Sequence, residues 1–323
     1  MAIIIKKKAL KPVNPFPDIP DPFGYGQRAV DYLRSLKHPK SRLPNKAFSL
    51  DPWQEEIVRK IYGPCDEYGN RIVRHAIILV PRGNRKTSLG AGLAMLHADG
   101  PEALPGSEIL FAAAAQTQAK IAYREVQNIV SVSGRLWTRG YQNGKYSEHE
   151  HIRSQDHLNR LLFPDQIFLE AISQDSNVHH GRTPVFCLCD EIHAWPKRDL
   201  WDVIRTGLMK TSNTLQVTIT TAGRGQTNLA YEVIEYGRKV LRGEIDDPST
   251  LPIYFEAPRD ADWKDENVWR LANPGLKYGY PDLGGLRQLA KEAESKPAER
   301  EAFKQLHLNI WGDRNAIRGN GYI

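Results

Sequence analysis

Short strand-like runs, most of them unbroken in their apolar character, alternate along this chain with segments of helical spacing. No other feature limits the possible folds so strongly. Ala76–Val80, Glu108–Ala112, Gln166–Ala171, Val185–Cys189 and Leu215–Thr220 read as strands. Between them, Thr87–His97 carries Leu89, Leu93 and Leu96 on one side, and Gln116–Val130 and Asp199–Met209 also read as helices. A strand that is apolar on both faces must be covered on both, because each exposed face would leave apolar surface in water. The pattern therefore predicts an α/β fold, with a mostly parallel central sheet and helices on both faces.

The flanking text differs. Five prolines (Pro12, Pro15, Pro17, Pro20 and Pro22) mark residues 1–27 as an extended arm, since proline removes the backbone donor that a helix or central strand needs. A short helix is predicted at Ala29–Leu36, and a second from Asp51, with Pro52 in its first turn, toward Tyr62. Ser133–Arg160 is polar and aperiodic, a hairpin or an exposed insertion, and Glu148-His149-Glu150-His151 within it reads as a solvated face. From Asn228 onward the text is helical and more charged, broken by a short strand at Ile253–Phe255.

Composition excludes several classes. Hydrophobic residues make up 41% and charged residues 25% of the 323, as in a globular protein rather than a disordered one. Three cysteines (Cys65, Cys187 and Cys189) cannot form a disulfide framework, and a reducing cytoplasm is the simplest setting. Cys187 and Cys189 alternate on a buried strand, and no second cysteine pair completes a zinc site. No apolar run approaches the roughly 20 residues of a membrane span, and the order of patches in Met1–Lys8 is the reverse of a secretory signal. A net charge of +6 suits a polyanionic partner, and equally a merely basic surface.

Two motifs carry chemistry. Val80-Pro81-Arg82-Gly83-Asn84-Arg85-Lys86-Thr87 joins the first central strand to its helix. Backbone N–H groups at a helix start, a lysine for the β/γ-phosphates and a hydroxyl for magnesium are what a phosphate loop requires. The segment lacks the strict glycine pattern: Val80 and Arg85 hold the two glycine positions, and Gly83 is its sole glycine. Alone, it also suits a basic surface turn. The second motif is the apolar strand Val185–Cys189 running into Asp190 and Glu191. Ligands of open α/β sheets bind at the carboxyl ends of strands. There Asp190 is placed to hold hydrated Mg²⁺, and Glu191 to orient and deprotonate an attacking water. Together the motifs predict a nucleotide-hydrolysing P-loop site.

Weaker signals gain value only in that company. The Gln54 amide, upstream of the loop, can donate to and accept from an adenine edge. Thr220 and Thr221 end a strand before Ala222-Gly223 and are placed to sense a γ-phosphate; a polar strand end with a glycine turn reads the same way. Arg82 and Arg85 could contact phosphates in cis, and Arg182, ahead of the acidic strand, could project as a finger into a neighbouring subunit.

Taken together, these residues resemble the terminase large subunits of tailed bacteriophages. The matching segments are Asp51–Gln54, Pro81–Thr87, Asp190–Trp195, Thr220–Gly223, Trp269–Gly275 and His307–Trp311, over about residues 45–311. The late Asn273-Pro274 and Leu308-Asn309-Ile310-Trp311 segments combined with the unusual loop are the most specific. The chain departs from the family at Arg85, where many members have glycine. The resemblance implies a P-loop ATPase core with an added β-strand, and ATP and Mg²⁺ as cofactors. It implies that Gln54 contacts adenine, that Lys86 and Thr87 hold phosphate and Mg²⁺, that Asp190 and Glu191 form the Walker B pair, and that Thr220–Gly223 couples hydrolysis to DNA movement. It further implies a five-subunit ring in the bacterial host cytoplasm, acting on double-stranded DNA without sequence preference at the portal of a procapsid, with a small terminase subunit as partner.

The expected organisation is residues 1–44 as arm and first helix, 45–227 as ATPase core, 228–311 as a small helical lid or linker, and 312–323 as a tail. Twelve tail residues with the single acid Asp313 cannot form a nuclease domain, so no DNA cleavage is expected from them. A helicase-like ATPase, or a non-catalytic assembly component, are the competing readings. Retention of both Lys86 and Glu191 argues against the second.

Overall fold

A computed structural model of the chain describes residues 16–132, 136–137, 152–174 and 181–312. The start of the expected arm, the Glu148–His151 cluster and the tail from Asp313 lie outside the described residues.

Among the described residues nine strands form one sheet: β1 (His75–Leu79), β2 (Glu108–Ala113), β3 (Leu136–Trp137), β4 (Ile152–Gln155), β5 (Arg160–Leu162), β6 (Phe168–Ser173), β7 (Pro184–Asp190), β8 (Leu215–Thr220) and β9 (Thr250–Tyr254). Their spatial order is β3-β4-β5-β6-β2-β7-β8-β1-β9. From β6 to β9 every neighbour runs parallel. Antiparallel pairing is confined to β4–β5–β6, so part of the polar insertion is a hairpin that extends the sheet.

The alternation of side chains across each strand makes two cores. Ile78, Phe111, Phe186, Leu188, Val217 and Ile219 face one way, under helices α1 (Tyr25–Ser35), α2 (Pro52–Tyr62), α3 (Lys86–Ala98) and α4 (Gln116–Val132). Ile77, Leu79, Leu110, Cys187 and Cys189 face the other, under α5 (Asp199–Leu208) and α6 (Leu229–Leu241). Burial of side chains of this size contributes about 1.5–3 kcal/mol each before entropy is set against it. Helix α3 reaches its strand closely because it carries Gly90: a Cβ there would lie 2.7 Å from the Leu188 side chain. Among the described residues no helix is long and apolar enough to cross a membrane.

The expected break at residues 227/228 is displaced by two elements. Helix α6 lies on the sheet, and β9 pairs in parallel with β1, from His75↔Thr250 to Leu79↔Tyr254. Only Ile253–Phe255 reads as a strand in the sequence; the partner strand supplies the rest. Beyond β9, helices α7 (Glu266–Ala272), α8 (Leu283–Glu294) and α9 (Pro297–Leu308) enclose a separate small core around Trp269, Leu286, Phe303 and Leu308. Within the 228–311 segment, α6 and β9 thus belong to the sheet, and α7–α9 carry a core of their own.

Candidate active site

The carboxyl ends of β1, β2 and β7 converge on one cleft of about 660 Å³. Arg82, Gly83, Lys86, Thr87, Asp190 and Glu191 line it. Strand β1 ends at Leu79, and the loop from Val80 turns into α3 at Lys86. Two positions of the loop need left-handed backbone. Gly83 has φ 86°, and a Cβ on it would lie 2.7 Å from the Cβ of Pro281. Arg85, where a glycine would be cheaper, takes φ 51° and ψ 34°. A non-glycine residue pays about 1–2 kcal/mol for that conformation. The Arg85 guanidinium stacks 3.9 Å from the centroid of the Tyr280 ring and lies 3.7 Å from Asp51 Oδ2, contacts that offset the strain.

Glu191 is the third left-handed residue, with φ 50° and ψ 49°. The turn brings its carboxylate back over the strand end, where Lys86 Nζ donates to Oε1 at 2.7 Å. Its other oxygen, Oε2, accepts from the Thr221 backbone N–H at 3.1 Å and lies 3.0 Å from His193 Nδ1. Burial pushes the Glu191 carboxyl up, but the Lys86 ammonium and then His193 outweigh it and hold the group well below the usual carboxylate range. The neighbouring Asp190 goes the other way, pushed up to about 7 by burial and then by the charge of Glu191. Two adjacent carboxyls with opposed tendencies suit two roles: a fixed charge beside the lysine, and an acid that ionises fully when a cation is at hand. The Asp190 carboxylate and Thr87 hydroxyl, lining one cleft, are the hard oxygen donors that Mg²⁺ takes alongside phosphates and water.

Residues 52–239 match the family described as "Terminase large subunit, ATPase domain". The chain belongs to the terminase large-subunit family. The large terminase subunit of Enterobacteria phage HK97 is 27% identical over 288 residues, which are 88% of this chain and 53% of that protein. The chain thus spans about half the length of the curated relative it matches. The fold agrees with the crystal structure of the HK97 large terminase (TM-score 0.72, 23% identity, 88% of this chain and 55% of that one). It agrees less closely with a mutant ATPase domain of the Thermus phage P74-26 large terminase (TM-score 0.51, 15% identity, 82% and 95%).

Within this terminase ATPase domain, several residues stand elsewhere than the sequence reading puts them. Asn84 does not turn its side chain to the cleft. It is fully buried; Nδ2 donates to Asn273 Oδ1 at 2.8 Å, and Oδ1 accepts from the Gly275 N–H at 3.0 Å. The side chain ties the loop to the Asn273-Pro274-Gly275 turn. Gln54 is 1% exposed and closes a capping box at the start of α2, its Oε1 accepting from the Asp51 N–H at 3.2 Å. That duty starts a helix, and its burial does not favour contact with a base. Thr220 and Thr221 are fully buried and line no part of the cleft; they touch His193 and Glu191 from behind. Arg182 lies at the opposite end of the sheet, ahead of β7, about 20 Å from the cleft at ~3.3 Å per strand residue. Its guanidinium pairs with Glu108 and, at 3.1 Å, with Glu170.

Three contributors escape the sequence reading. His193 stands in the quoted acidic segment, but its pairing crosses to β8 and cannot be read from spacing. Asn309 accepts from the Ala222 N–H at 3.0 Å and donates to the Phe255 carbonyl at 2.8 Å, joining the end of α9 to the loop after β8 and to the end of β9. The Leu306 carbonyl accepts from the Arg82 N–H at 2.9 Å, so the same helix also holds the phosphate loop.

Proposed function

We propose that this domain hydrolyses ATP and uses the energy to move double-stranded DNA into a procapsid. The contact of Lys86 with Glu191 at 2.7 Å carries this reading: an ammonium and a carboxylate meet in one cleft beside a strand-loop-helix turn, the pairing that a nucleotide-hydrolysing site needs. Lys86 trades its contact with Glu191 for the β/γ-phosphates, and the released carboxylate orients the attacking water and takes its proton. Thr87 and Asp190 would hold Mg²⁺, which would supply charge neutralisation at the phosphates. Arg82 is exposed, lines the cleft and makes no ion pair among the described residues, so it assumes the phosphate-contacting role in preference to Arg182. Membership of the terminase family supports portal protein, small terminase subunit and a ring of subunits as partners, in the cytoplasm of the infected bacterium.

The test is ATP turnover with and without duplex DNA, paired with a strand-displacement assay. The reading predicts turnover that duplex DNA raises, with no strand separation. Strand separation driven by ATP would move the chain to the helicases, and absence of turnover under both conditions would remove the enzyme assignment.

A further inference from the structure

On the far side of the nucleotide cleft, between α6 and the loop after Glu191, lies a second cavity of about 960 Å³. His193 and Ala194 line both spaces, so one short turn is the wall between them. The lining is rich in cations. Glu232 shares Arg198, at 3.1 Å, with Asp202, and Glu235 shares Arg238 with Glu256. Lys197, Arg224 and Lys239 remain, each lining the cavity without an ion pair among the described residues. Arg224 follows directly on Thr220–Gly223, and its Nε donates to Gln305 Oε1 at 2.6 Å, which holds the guanidinium at the cavity. The rest of the lining mixes polar groups, from Gln226 to Asn228, with the rings of Tyr231 and Tyr236 and the apolar Trp195, Pro196 and Leu229.

We propose that this cavity seats the phosphate backbone of duplex DNA, and that His193 is the positioning residue through which the seated backbone acts on Glu191. The inference rests on the ATPase reading above and adds a location and a route to it. Three cations without an ion pair among the described residues, with hydroxyl and amide donors beside them, fit phosphates and carry no sequence preference. The route is a single side chain. His193 Nδ1 lies 3.0 Å from Glu191 Oε2, 3.2 Å from Thr220 Oγ1 and 3.3 Å from Thr221 Oγ1. A backbone pressed against this wall shifts the imidazole, and with it the carboxylate that must leave Lys86 before water can be activated. DNA thereby selects the productive position of Glu191.

Duplex affinity measured against salt, without nucleotide, tests the seat independently of turnover. In Lys197→Gln/Lys239→Gln the slope of log affinity on log salt falls by about 2, near 0.9 for each phosphate that is no longer neutralised. The control Lys277→Gln/Lys291→Gln, an equal charge change on the helical unit, leaves the slope as in the wild type. His193→Ala keeps the wild-type slope but loses the DNA-induced rise in kcat, with KM for ATP little changed. An unchanged slope in the first variant, an equal fall in the control, or no binding of duplex by the wild type overturns the seat. Full DNA stimulation in His193→Ala overturns the route. If the wild type binds duplex with the expected slopes but never hydrolyses ATP, the enzyme reading fails while the seat stands.

Discussion

Each end of the parallel sheet carries a part-buried cluster of opposite charges, and the two are built for opposite purposes. At the amino end, Arg182 is clamped between Glu108 and Glu170, and Arg160 donates to Glu170 at 2.7 Å. The carboxylates belong to the neighbouring strands β2 and β6, and Arg182, ahead of β7, ties both to it. At the carboxyl end, Lys86 and Glu191 meet across a cleft, on backbone that is left-handed at Gly83, Arg85 and Glu191. For the non-glycine residues Arg85 and Glu191, strain of roughly 1–3 kcal/mol each persists only where the surroundings over-determine it. Charge pairing alone therefore does not mark a functional site. Left-handed backbone flanks both clusters, at Asn159 beside Arg160 as at Arg85 beside Lys86, so the open cleft is what separates the exchanging pair from the stapling one.

The sharpest way to break this comparison is to remove one cation from each end. Lys86→Ala deprives the cleft of its phosphate-binding charge; ATP affinity and turnover both fall, turnover by at least about 10²-fold. Calorimetric titration with ATP and a phosphate-release assay read the two losses. Arg182→Ala leaves Glu108 and Glu170 facing each other, at a cost of about 2–4 kcal/mol, below the full value for a buried pair because the guanidinium keeps some solvent contact. Denaturant unfolding reads that loss, while turnover per folded molecule stays within about two-fold. A fall near 10³-fold with unchanged stability would instead return Arg182 to the role of a finger.

Substitutions in the phosphate loop sharpen the same contrast with smaller effects. Gly83→Ala forces both an unfavourable φ and a clash with Pro281, and costs about 1–3 kcal/mol, read as weakened ATP binding. Arg85→Gly relieves the left-handed residue but forfeits the stack on Tyr280 and frees the unfolded chain; the net change stays within about 1 kcal/mol and turnover within a few-fold. A collapse of activity in Arg85→Gly would show that its guanidinium, and not only its backbone, serves the reaction.

What the sequence discloses follows the range of the interactions involved. Central strands such as Val185–Cys189 are legible because burial on both faces writes itself into consecutive residues. The Lys86 and Glu191 assignments rest on local context, a strand running into a helix start or a carboxylate pair, and the fold brings them together. β9 is half hidden because its strand character depends on pairing with β1, and Pro252 interrupts its text. The duties of Asn84, Asn273 and Asn309 are illegible. Asn84 and Asn273 meet across 189 positions, and a lone asparagine carries no sign of its distant partner. Arg182 misleads for the same reason: its partner Glu108 lies 74 residues away, and without it the arginine resembles a free finger.

The central claim is that Glu191 activates water while Lys86 and its loop bind nucleotide, so binding and turnover must separate at one residue. The direct measurement is ATP affinity and single-turnover hydrolysis in Glu191→Gln beside the wild type. The amide keeps the side chain's size and its contact with the Thr221 N–H but cannot take a proton. The account predicts ATP affinity within a few-fold of the wild type and hydrolysis slowed by roughly 10²–10⁴. Hydrolysis at the wild-type rate would contradict it.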